Sequence, residues 1–304
     1  MGNYALWYFG INAKNGSYTT RSDATPKDLK NRNFGYAIAL EVSEGRDVPQ
    51  SGDTYTDGYN DGKVLGEWVD PKLSGIDGRD YLVEIPFYRK GTPEHPKNPK
   101  DYSRGVDYWK GWIDGVYYNT GGGQVGFYWC LESPRPITGE YITEADLDTI
   151  SNYVKTSLSQ VLHWIPALNG RTPSQLDQFT DIKSVAKYFN FVFCQPNYYE
   201  RCKMNDNTTD YTYQELVEVV NWVYDAAPNT WIEMEADRSV LGEIENCRCI
   251  KTECDCSLSS CVDYACDYVR AEKDVTGSVW AQRAYYFSTE LAVIDTVRNQ
   301  CSDW

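Results

Sequence analysis

Two stretches of this chain place acids where a strand would bury them. In Thr230-Trp-Ile-Glu-Met-Glu-Ala-Asp237, Glu233, Glu235 and Asp237 share one parity, and Ile232, Met234 and Ala236 share the other. Side chains alternate across a strand, so three carboxyls would line one face and three apolar groups the opposite one. Acids inside a strand are costly unless paired or hydrated, which makes a purely structural role hard to justify. Gln124-Val-Gly-Phe-Tyr-Trp-Cys-Leu-Glu132 has the same logic. Val125, Phe127, Trp129 and Leu131 suit a helix-facing side, Glu132 falls on the other, and Pro134 ends the run. Two carboxyls opposed across a groove are the minimum machinery for glycoside hydrolysis, one protonating the leaving oxygen while the other attacks or activates water. On this reading Glu132 is acid and base, Glu235 is nucleophile or water-activating base, and Glu233 and Asp237 are supporting or substitute carboxyls. The bland alternatives are a solvated Glu132 capping a turn, glutamates that bind an arginine, and an Asp237 that caps a helix starting near Ser239.

Such acids need a scaffold that brings strand ends together. Short apolar runs at 5–11, 35–42, 81–88, 124–132, 160–167, 189–195, 230–235 and 283–288 alternate with helix-periodic runs, clearest at 106–118, 144–157, 213–226 and 290–299. Eight strands with crossover helices predict an α/β fold, a (β/α)8 TIM barrel forming one domain over residues 1–304. Glu132 and Glu235 then end the fourth and seventh strands, at the C-terminal mouth where barrel enzymes carry their chemistry. Three segments exceed a minimal barrel. The Gly-, Asp- and Tyr-rich stretch 47–79 after strand two reads as a long loop. The segment 92–99 carries three prolines, which exclude regular structure. A cysteine-rich insertion at 247–275 follows strand seven. All three follow strand ends, where they would shape a cleft.

Gln195, Asn197 and Tyr198 at the end of strand six offer amides and an aromatic ring suited to hydroxyls and sugar faces. Trp164, Trp231, Tyr128 and Tyr199 are further candidates for a sugar platform, although most aromatics in a barrel are packing. Glu84 inside its apolar strand reads as structural. With only His95 and His163 present, a multi-histidine metal centre is excluded and a Ser-His-Asp triad is disfavoured. Residues 57–62 begin like a calcium loop, but Tyr59 and Trp68 occupy ligand positions, so a turn is expected there. No metal and no cofactor is called for.

A net charge of -15 and a pI near 4.6 argue against nucleic acid, whose phosphates require clustered Lys and Arg. No stretch approaches the roughly 20 apolar residues of a membrane span. Ten cysteines, six of them between Cys247 and Cys266, point to an oxidising compartment and therefore to an extracellular or cell-surface protein. Cys247, Cys249, Cys254, Cys256, Cys261 and Cys266 are disulfide candidates within the insertion, and Cys194 and Cys202 would close the loop around Gln195. Cys130 and Cys301 have no evident partners.

The segments 125–132, 163–166, 193–198 and 232–237, with Ala284-Tyr-Tyr286, together resemble an uncharacterised prokaryotic family of extracellular, glycoside-hydrolase-like (β/α)8 barrel domains. The resemblance implies work on a polysaccharide or surface glycan without fixing a reaction. The long stretch after strand two and the insertion depart from that pattern. Two other functions fit the sequence: a non-catalytic glycan-binding barrel, and a structural protein that self-assembles at the cell surface.

Overall fold

The computed structural model describes residues 2–43, 45–75, 80–91, 103–137, 141–243, 245–248 and 260–304. Eight parallel strands close into a barrel: β1 (Gly2–Ile11), β3 (Tyr36–Glu41), β4 (Tyr81–Ile85), β5 (Gln124–Trp129), β6 (Val161–Trp164), β7 (Phe191–Cys194), β8 (Thr230–Glu235) and β9 (Gln282–Tyr286). Each pairs with the next, and β1 pairs with both β3 and β9, which leaves the parallel sheet without an edge. β2 (Tyr18–Thr20) returns antiparallel on β1 as a short hairpin arm. All eight expected strands are present, most of them shorter at their C-terminal ends than the apolar runs, because the last residues leave the ladder to build the mouth.

The register gives the interior its layers. Tyr4, Tyr36, His163, Phe191 and Phe193 meet inside the lower barrel, with rings stacked or edge to face. Alternate residues face out: Trp7 and Phe9 pack on Trp68, and Trp129 packs on Trp109. His163 is fully buried among these rings, and loss of hydration pushes its pKa down to about 3, so it is a neutral core residue.

Helices α1 (Pro26–Asn31), α2 (Tyr55–Leu73), α3 (Val106–Tyr118), α4 (Glu144–Asn152), α5 (Pro173–Phe179), α6 (Ile182–Val185), α7 (Tyr213–Ala226), α8 (Ser260–Thr276) and α9 (Leu291–Gln300) cover the barrel. Thr54, Thr143 and Thr212 each cap a helix through a reciprocal bond with an acid three residues on. Among the described residues no helix is long and apolar enough to cross a membrane.

The stretch 47–79 is where the fold differs most from expectation. Its centre is α2, a helix of 19 residues. Glycine normally argues against a helix, but Gly58, Gly62 and Gly66 recur every fourth residue and form a flat stripe on which α3 lies backbone to backbone. Gly111 and Gly115 answer from α3. A Cβ at Gly62 would stand 2.3 Å from the Trp112 carbonyl oxygen, and one at Gly111 would stand 2.0 Å from that of Tyr55. The calcium-loop-like residues 57–62 are therefore helix interior, neither turn nor loop. Gly111→Ala is expected to lower stability by about 1–3 kcal/mol through overpacking, against alanine's better helix propensity. Urea denaturation would check this, and an unchanged or raised midpoint would show that the helices can separate freely.

Candidate active site

Two strand ends carry three acids into one chamber. Glu132 lies just past β5, Glu233 and Glu235 end β8, and all three line a cavity of about 260 Å³ at the C-terminal mouth. Glu200, two residues beyond Tyr198, joins them. Tyr8 from β1 and Tyr286 from β9 form the wall beside β8 and across from Glu132, with their rings edge to face. Inward parity produces this: Tyr8 follows Tyr4 on the inner face of β1, and Tyr286 pairs with Glu235 in the ladder.

The acids are held very differently. Glu132 is half-buried and accepts from the Gln195 side-chain amide at 3.4 Å. Both Glu235 oxygens are engaged: Oε1 accepts the Asn197 backbone N–H at 3.0 Å, and Oε2 bonds the Tyr268 hydroxyl. Burial, then repulsion from Glu200, outweighs these donors and pushes the Glu235 carboxyl up to about 8. Glu233 lies deeper, and its Oε1 is buried with no hydrogen-bond partner among the described residues. Burial first, then the charges of Glu235, Glu132 and Glu200, hold its carboxyl well above the usual range. Glu235 therefore carries a proton at neutral pH, and Glu233 is biased the same way. Such a chamber can deliver a proton to a bound oxygen and can bond hydroxyls.

Asn197 organises this side of the mouth. Its backbone is left-handed, at φ 57°, a conformation asparagine tolerates better than most residues. That turn aims its N–H at Glu235, while its side chain accepts the Asn169 N–H at 2.7 Å and donates to Glu200 at 3.2 Å.

Glu132, Glu233, Glu235, Gln195, Asn197 and Tyr199 thus come together, but the other expected site residues do not line the chamber. Asp237 caps a helical turn, accepting the Ser239 N–H at 2.9 Å, the Asn246 N–H at 2.8 Å and the Tyr199 hydroxyl at 3.1 Å. Trp164 faces the helices, stacked on Phe189 and bonded to the Leu131 carbonyl. Trp231 packs on Phe191 and Trp280 low in the molecule. Tyr198 is buried with its hydroxyl on Asp267 and the Arg248 guanidinium over its ring. Tyr128 is buried beside His163 in the ladder. The four aromatics are packing groups because they sit too low, or on the wrong face, to reach the mouth, and Asp237 is spent on its cap. Tyr8, Asn169, Glu200, Tyr268 and Tyr286 were not anticipated. Parity flags Tyr8 and Tyr286, whereas Tyr268 arrives from a distant helix with no local signal.

Cys247 and Cys261 form a disulfide, and Cys202 is also disulfide-bonded. Cys194 and Cys266 depart from expectation as buried free thiols. Cys194 ends β7 on the face opposite Phe193, within the core. Cys266 sits inside α8, the crossover helix to β9, where it is hydrogen-bonded to Cys301. The stretch called an insertion is therefore partly the barrel's own helix. Cys249, Cys254, Cys256 and His95 lie outside the described residues.

The fold and site define a (β/α)8 barrel with a carboxyl-lined C-terminal mouth, the fold shared by glycoside hydrolases. A thermostable mutant of a xylanase from Cellvibrio japonicus superposes with a TM-score of 0.50 over 94% of this chain and 86% of its own, at 11% identity. A group IV chitinase from Ostrinia furnacalis is a weaker match, with a TM-score of 0.38, 15% identity, and coverage of 77% of this chain and 66% of its own. No family model matches the chain. The uncharacterized protein MJ0957 of Methanocaldococcus jannaschii is 35% identical over 352 residues, covering 99% of this chain and 94% of its own, and the chain belongs to the family of that protein.

Proposed function

We propose that this protein is an exported glycoside hydrolase acting on a polysaccharide or surface glycan by proton transfer between opposed carboxyls. The observation that carries the reading is the convergence of Glu132 with the buried Glu233 and Glu235 on one chamber. Burial sets the roles. Glu233, with an unsatisfied oxygen and a retained proton, is the donor to the leaving oxygen. Glu132, half-exposed and reachable by water, is the nucleophile or the base that activates water. Glu235, clamped by Asn197 and Tyr268, orients this wall. These roles exchange the assignment suggested by sequence alone, because the deeper wall is the one that retains protons. The disulfide between Cys247 and Cys261 agrees with an oxidising location.

The test is release of reducing ends from a broad panel of defined oligosaccharides. Glu235 is pushed up to about 8, and once it ionises its charge holds the proton on Glu233 more tightly and makes that donor a weaker acid. The rate should therefore fall as pH rises through about 8, and a pH profile of kcat would read this alkaline limb. A rate still climbing above that pH would mean that proton donation comes from elsewhere.

A further inference from the structure

Glu132, Ala167 and Asn169 line two cavities at once, the acidic chamber and a wider one of about 600 Å³ on its outer side. Among the described residues their linings differ in sign. Arg46, Arg135 and Arg171 line the outer cavity, and among the described residues Glu132 is its only acid. In a chain with 29 basic and 44 acidic residues, chance would favour the reverse. The Arg46 guanidinium lies over the Tyr88 ring, 4.3 Å from its centre. Arg171 is anchored by a bond from Nη1 to the Leu168 carbonyl at 2.9 Å, in the turn that also presents Asn169. Among the described residues no carboxylate lies within ion-pair distance of Arg171 or of its neighbour Arg201. Burial, then the like charge of Arg201, disfavours the Arg171 cation, so Arg171 itself has no counter-charge among the described residues.

A guanidinium is a planar fork that pairs with the oxygens of carboxylate, sulfate or phosphate. We propose that the outer cavity is a subsite for an anionic group on the sugar beyond the bond attacked, so that the substrate is an acidic glycan. This rests on the glycan reading above. Glu132 stands at the junction, so the scissile bond lies between a hydroxyl-binding chamber and a cationic one.

Calorimetric binding to the full chain would test this, using an oligogalacturonate, its carboxyl-reduced neutral counterpart, a sulfated oligosaccharide, a phosphate-bearing oligosaccharide, and inorganic sulfate and phosphate. At least one acidic oligosaccharide should bind roughly tenfold or more tighter than the neutral one, the scale of one charge-assisted hydrogen bond. Arg171→Gln should erase that preference. Arg135→Gln, assayed beside it with a thermal melt on each, covers the case in which the first variant unfolds. Equal or tighter binding of the neutral oligosaccharide, or a preference that survives both substitutions, overturns the subsite. So does inorganic sulfate or phosphate binding as tightly as every oligosaccharide, because the anion would then owe nothing to a sugar. Arginine-dependent binding of acidic glycans without cleavage upholds the subsite and removes the hydrolase. Cleavage of neutral glycans indifferent to both substitutions does the opposite.

Discussion

Glu132→Gln and Glu233→Gln will each lower glycan turnover by roughly 10²- to 10⁴-fold, the range of a positioned general acid or base. Both amides keep the shape of the carboxyl and lose only its protonic function, so substrate affinity should change far less than kcat. Glu235→Gln should be milder, since an amide still accepts the Asn197 N–H and can donate to the Tyr268 oxygen. Stability separates a catalytic loss from a folding one. The folded pKa of Glu235, about 8, lies above its ordinary 4.5, so the folded state holds a proton that the unfolded chain has already released. Its contribution is fully present below the ordinary value and is lost as pH rises through about 8. A glutamine there never ionises, so Glu235→Gln should be more stable than the parent at pH above about 8. Single-turnover rates with thermal melts at two pH values would read both effects. A fully active Glu132→Gln, Glu233→Gln double variant ends the two-carboxyl mechanism.

The barrel was legible because its signals are local and repeated. Buried parallel strands read as short apolar runs, and inner and outer parity in 124–132 and 230–235 is enough to aim Glu132, Glu233 and Glu235 inward. α2 was hidden because its helix depends on a partner: the stripe of Gly58, Gly62 and Gly66 is a poor helix alone and a good one against Gly111 and Gly115. The aromatic candidates failed for a related reason. Composition says that Trp164, Trp231 and Tyr198 are large and amphipathic, but only the register says how deep each lies. The clamp on Glu235 was beyond reach, because Tyr268 is separated from it by 33 residues and delivered by tertiary packing. The outer arginines come from three separate loops, and nothing periodic joins them.

That clamp depends on where α8 docks, and one buried ion pair fixes it. Glu272 on α8 is fully buried, and it takes two bonds from Arg283, an outward residue of β9 that is 4% exposed. Glu272 also accepts the Trp280 N–H, and Arg283 bonds the Asp303 carbonyl, so the pair ties helix, strand and C-terminal segment together. The net worth of such a pair is small, because desolvation offsets the attraction. Removing one partner is another matter, since the survivor keeps a buried and uncompensated charge. Arg283→Met should therefore destabilise the fold by about 3–5 kcal/mol, while Glu272→Leu combined with Arg283→Met should recover most of that loss. Burial, first among its causes, raises the Glu272 carboxyl above its ordinary value even with Arg283 present, so the single variant should suffer most at alkaline pH, where proton uptake cannot relieve it. Urea denaturation of both single variants and the double variant would close the cycle. If Arg283→Met costs no more than a surface ion pair, about 1 kcal/mol or less, then α8 is held by its apolar face alone. The position of Tyr268 against Glu235 would then have to come from the packing of Ala265, Val269 and Ala271.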